Sequence, residues 1–200
     1  MADELQIMLD FLKEGEISEE EVDELYYKTI AEKAIDQLEE SQLFITVNDD
    51  TNSIAVIVKH MAGNMLSRWT DFLTTDGEKE WRNRDGEFEN ELVTKTELLA
   101  FWNKGWDCFF STLNSLQPED LNKIIYIRNQ GQTVVDAINR QLAHYPYHIG
   151  QIVFYAKMLK QTSWDSLSIP KNKSNDYNAD KFSQEKSLQH FTDDELKKLK

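Results

Sequence analysis

Residues 53–73 read SIAVIVKHMAGNMLSRWTDFL, and the apolar positions Ile54, Ile57, Val58, Met61, Ala62, Met65, Leu66, Trp69, Phe72 and Leu73 recur at intervals of three and four. That spacing predicts a helix with an apolar stripe too wide to be covered from one side, so it must be deeply buried among other helices. The flanking sequence supplies them. Ser18 with Glu21 makes a capping box for a helix running to about Ser41, through Val22, Leu25, Tyr26, Ile30, Ala34, Ile35 and Leu38. Thr94 with Glu97 opens a third helix through Leu98, Phe101, Trp102, Trp106, Phe109 and Leu113, closed by Pro118. The run Ile124 to Ile127, followed by Asn129, Gln130 and Gly131, suggests a short extended piece and a turn. A fourth helix then begins near Thr133, with Asp136 in its first turn, and continues to Leu159. Four long helices predict an all-α fold, a four-helix bundle.

The chain has 200 residues, enough for one domain with appendages. The expected division is an N-terminal extension over 1–17, the bundle over 18–170 and a polar tail over 171–200. In the tail, Thr192 and Glu195 offer caps for a short helix, 193–199. The alternative is that Tyr177, Phe182, Leu188 and Phe191 pack on the bundle or on a second subunit. Thirteen of the fourteen net negative charges fall within residues 1–50, so the rest of the chain is close to neutral and carries no basic stripe. Such a distribution argues against a nucleic-acid footprint and against anionic lipid. The longest wholly aliphatic run, Ile54 to Val58, is far short of the roughly 20 residues a spanning helix needs. The N-terminus also lacks the basic flank of a signal peptide, and a cytoplasmic protein with no membrane partner is expected. A single cysteine, Cys108, excludes an internal disulfide framework and any CxxC motif.

The chemistry-bearing residues are histidines. His144 and His148 stand four apart on the fourth helix, which puts their Cβ atoms about 5–6 Å apart on one face, in rhythm with Gln141, Gln151 and Tyr155. His60 lies inside the most apolar helix, and a buried imidazole needs a partner. Two readings are open, a shared metal ion or three separately hydrogen-bonded core histidines. Three neutral nitrogens suit Zn²⁺ or Ni²⁺, and also Co²⁺ or Fe²⁺, and leave a coordination position open, which is the catalytic pattern. His190, in the tail, is not expected to take part. Pro146, between the two helix-four histidines, predicts a kink or bulge. Asn64 and Arg68 follow His60 by four and eight residues and share its face. Arg82 and Arg84, in the loop after the second helix, are candidates for an anionic substrate group, against the plainer role of pairing with Asp85 or Glu87. Gln151 completes the candidate substrate-binding set. Tyr145 and Tyr147 suit packing, and Cys108 has no basic neighbour to activate it. No GxSxG, GxGxxG or P-loop pattern is present.

Residues 53–85 (SIAVIVKHMAGNMLSRWTDFLTTDGEKEWRNRD), with HYPYHIGQI at 144–152 and SIPK at 168–171, together resemble the DinB-like superfamily, within it an uncharacterised bacterial branch. The match covers roughly residues 20–180 in motif order and separation. The resemblance implies an up-down-down-up four-helix bundle, a divalent metal held by His60, His144 and His148, and a homodimer. Relatives in the wider superfamily include mycothiol-dependent isomerases and bacillithiol transferases, in which the ion is thought to hold a thiol as thiolate. It therefore implies a metal-dependent, thiol S-transferase-like activity on a small-molecule substrate, with a low-molecular-weight thiol as cofactor. The rival expectation is a non-catalytic, dimerising stress-response module in which the ion only joins helices. The acidic extension before residue 18 and the polar tail match no part of the family pattern.

Overall fold

The computed structural model describes residues 19–89, 94–187 and 192, with side chains from residue 25 onward. Its main helices are α1 (Glu19–Asp36), α2 (Ile54–Trp69), α3 (Lys95–Ser115) and α4 (Val134–Lys160), followed by a short α5 (Ser174–Ser183). Between α3 and α4 lies an antiparallel hairpin of β1 (Ile124–Ile127) and β2 (Gln130–Thr133), so the chain is mostly helical rather than all-α. The hairpin turn places Arg128 and Asn129 at φ 54° and 60°, the left-handed pair that a two-residue turn needs to follow strand twist. Ile125 and Ile127 face inward while Ile124 and Tyr126 are exposed, the alternation of a half-buried strand.

Local signals set most helix starts. Thr94 accepts from the Glu97 amide at the head of α3, and Thr133 does the same for Asp136 at the head of α4, both with the reciprocal carboxylate contact. The amides of Val134 and Val135 also donate to the carbonyls of Lys123 and Leu121, so the segment leading into the hairpin satisfies two donors that a helix start leaves unpaired. Helix ends differ from expectation. α1 stops at Asp36 instead of Ser41, and a 3-10 turn over Glu40–Phe44 follows, held by Gln42, which accepts from Glu39 N and donates to Leu159 O. α2 stops at Trp69 instead of Leu73, because Asp71 turns left-handed at φ 47° and its carbonyl accepts from Thr74 and Thr75. α4 runs through Pro146 without interruption.

α2 packs most extensively on α3, α1 packs on α4, and α2 meets α4 along a smaller seam. The core holds Trp69, Trp102, Trp106, Phe109 and Tyr145, all fully buried, and Trp69 Nε1 donates to Tyr145 Oη at 2.9 Å. Burial of each such ring is worth about 1.5–3 kcal/mol. Tyr145 thus packs as expected, whereas Tyr147 is exposed. In the tail, α5 buries nothing and Phe182 is 84% exposed, so Phe182 does not pack on the helices. Ser18, Leu188, His190, Phe191, the 193–199 helix and the whole 1–17 extension lie outside the described residues. Among the described residues no helix is long and apolar enough to cross a membrane.

Candidate metal centre

The seam between α2 and α4 is where the three histidines meet. α2 contributes His60, and α4 contributes His144 and His148 one turn apart, so two packed helices present three imidazoles to one point. One ligand nitrogen from each lies within 4.8 Å of the other two, and His144 Nε2 and His148 Nε2 are 3.1 Å apart. Ring centroids are 4.8 Å apart for His144 and His148, 5.1 Å for His60 and His148, and 6.0 Å for His60 and His144. All three side chains are partly buried, and no other His, Cys, Asp or Glu joins the cluster among the described residues.

Each ring is oriented by an oxygen on its far nitrogen. His60 Nδ1 donates to Glu87 Oε2 at 3.0 Å, His144 Nδ1 to Gln141 Oε1 at 3.2 Å, and His148 Nδ1 to Gln151 Oε1 at 3.1 Å. With the proton on Nδ1, the Nε2 lone pair is free to bind an ion, the tautomer that metal sites use. Burial, then the neighbouring His148, His60, Arg140 and Arg68, holds the His144 pKa down to about 4, and burial also lowers that of His148. Both rings are therefore neutral near pH 7, as ligands must be.

Glu87 is the residue that sequence reasoning missed in this role. Its carboxylate, 94% buried with its residue, also takes Arg82 Nε at 2.7 Å and Arg82 Nη2 at 3.0 Å. Burial pushes the Glu87 pKa up, but the hydrogen bonds and charges of His60 and Arg82 outweigh it and the net shift is downward. Lys59 secures the same loop by donating to the carbonyls of Gly86 and Glu89. The partner of His144, Gln141, stands three residues before it, and Gln151 three residues after His148. That symmetric spacing around the pair was the available signal; nothing local marked Glu87.

The remaining candidates divide. Arg82 is engaged with Glu87, and also approaches Glu78 at 3.6 Å, while Arg84 is exposed and lies over the Phe88 ring at 5.9 Å. Arg68 is buried and donates to Gly77 O at 2.8 Å. Asn64, one turn beyond His60, is 95% buried, and its Oδ1 has no hydrogen-bond partner. Cys108 lies 3.6 Å from Thr70 Oγ1.

Neither a curated protein nor a solved structure matches the chain. Residues 15–173 match the family model described as "protein of unknown function (DUF1572)", and with that span the chain belongs to the DUF1572 family.

Proposed function

We propose that this chain is a metal-dependent, DinB-like protein in which His60, His144 and His148 hold a divalent ion, zinc or nickel, and that it has thiol S-transferase-like activity on a small molecule. The observation that carries the reading is the donor set, one ring nitrogen from each of three histidines within 4.8 Å of the others, with every Nδ1 already engaged and, among the described residues, no carboxylate or thiolate added to the cluster. Three protein ligands leave a position for an exchangeable group, whereas structural sites are closed by four. When bound, the ion would lower the pKa of a thiol at that position and hold it as thiolate near neutral pH. The orphaned Oδ1 of Asn64, one turn from His60, fits a site that receives a further polar group, since a buried oxygen without a partner costs about 1–3 kcal/mol.

The chain's own residues have separable tasks in this reading. Glu87, Gln141 and Gln151 fix the rings, and Arg82 keeps Glu87 ionised and in place. Asn64 orients the ligand at the ion, with Arg68, Arg84 and Gln151 as further substrate contacts. In this reading the helices form the up-down-down-up bundle over residues 18–170, with the α2–α3 and α1–α4 pairings in its support. Homodimerisation, a cytoplasmic location and the absence of nucleic-acid or membrane partners belong to the same reading; sedimentation tests the first.

The test is metal analysis of protein purified without an immobilised-metal step, followed by cobalt substitution. Bacillithiol or a similar thiol should add near-UV sulfur-to-metal absorption close to pH 7, although a free thiol ionises near pKa 8.5. If no thiol alters the cobalt spectrum at millimolar concentration, the transferase reading is abandoned. One observation favours the rival, non-catalytic module: the ion would join α2 to α4 across a seam smaller than the α2–α3 and α1–α4 ones.

A further inference from the structure

Gln151 belongs to two features at once. Its Oε1 accepts from His148 Nδ1, and its side chain also lines an open cleft of about 430 Å³ with Val47, Ile57, Phe154 and Met158. The cleft continues the seam that holds the histidines, since Ile57 precedes His60 by three residues on α2 and Gln151 follows His148 by three on α4. Its size lies within the range of about 300–1,000 Å³ usual for small-molecule sites. Thr51, Asn52 and Tyr155 also line it, but most of its surface is apolar and accessible, with Phe154 72%, Val47 61% and Met158 46% exposed. Its one charged lining group is Asp50; no lysine or arginine lines it. Such a wall favours an uncharged guest and disfavours an anionic one.

We propose that this cleft binds the uncharged, apolar arm of the ligand whose head takes the free position at the three histidines. The proposal rests on the metal reading above and narrows its substrate class to molecules with a metal-seeking head and an apolar tail.

Two probes test it on the full chain loaded with metal. The first is the neutral dye N-phenyl-1-naphthylamine, compared with 8-anilinonaphthalene-1-sulfonate, which shares its aromatic skeleton and adds an anion. The neutral dye should bind one per chain and about three- to tenfold more tightly than the sulfonate, the scale of one charge repelled by Asp50 near the surface. Asp50→Asn should shrink that ratio, and Phe154→Ala, a change at an exposed position that leaves the fold intact, should weaken the neutral dye about tenfold. The second probe is an alkanethiol series read at the cobalt absorption. Hexanethiol should bind at least about tenfold more tightly than ethanethiol, because each buried methylene is worth up to about 0.8 kcal/mol. Phe154→Ala should flatten that dependence on chain length.

A cobalt signal that ignores chain length overturns the cleft proposal and leaves the thiol reading standing. Dye binding that depends on Phe154 in a protein that holds no metal overturns the metal reading and the two-part ligand with it, and leaves the cleft only as a site for an apolar guest. Dye affinity unchanged by Phe154→Ala, or falling with protein concentration as the mass doubles, overturns the proposal; the latter assigns the cleft to a second copy.

Discussion

His144 and His148 were legible because a helix fixes the geometry of residues four apart, so their convergence needed no tertiary information. His60 could be placed on a core-facing helix but not aimed, and Glu87, 27 residues further on in a polar loop, could be read only as an arginine partner. The orienting groups make a prediction of their own. Gln151→Leu removes the acceptor for His148 Nδ1 and should weaken metal binding about 10–100-fold with little change in fold, measured by competition with a chromophoric chelator. Wild-type affinity in that variant would leave Gln151 without a part in the centre. The protonation of His144 makes another. Its pKa is about 4 in the folded chain and near the ordinary 6.5 in the unfolded one, so the unfolded state binds the extra proton between those values. Stability of the metal-free protein should be complete above about pH 6.5 and fall as pH drops towards 4, by on the order of 2 kcal/mol after solvent screening. His148 shifts in the same direction. Urea midpoints recorded from pH 7 to pH 4 give the answer, and a flat profile would contradict it.

At the scale of elements, starts were more legible than stops. Thr94 with Glu97 and Thr133 with Asp136 announce helix starts through contacts three residues apart, whereas the left-handed Asp71 that ends α2 carries no comparable mark. The hairpin was visible as an extended run and a turn, but its second strand, Gln130–Thr133, is polar and lacks an alternating apolar pattern. Two glycines on facing helices separate packing from site assembly. A methyl group on Gly105 would stand 2.9 Å from Ala62 Cα, a backbone atom that cannot yield without moving α2 away from α3. Gly105→Ala should therefore destabilise the protein by about 1–3 kcal/mol in urea unfolding. A methyl group on Gly63 would stand 2.3 Å from Glu87 Oε1, the end of a side chain rather than backbone. Gly63→Ala should displace Glu87 from His60, weakening metal binding with a smaller loss of stability. Equal effects of both changes on stability would argue against this separation.

For the whole molecule, the sequence fitted a mostly helical chain because long apolar stripes at helical spacing dominate it, but which helices pair is a tertiary property that the stripes alone do not specify. Metal held across the α2–α4 seam would tie that tertiary arrangement to the ligands, and a ligand that binds only the folded state adds RT ln(1 + [M]/Kd) to its stability. Chelator should lower the melting temperature of the wild type and leave that of His148→Ala unmoved; equal sensitivity in both would exclude a stoichiometric site at His148. A drop of many degrees in the wild type would favour the helix-joining module over the enzyme. The pairing of Arg82 with Glu87 has a consequence for electroneutrality. Three imidazoles and two amides bring no charge, and the one carboxylate hydrogen-bonded to them among the described residues is already matched by its guanidinium. A dication in this setting has no protein counter-ion, so it must recruit one from solution, and azide, cyanide or halide should compete for that vacancy in proportion to their affinity for the metal.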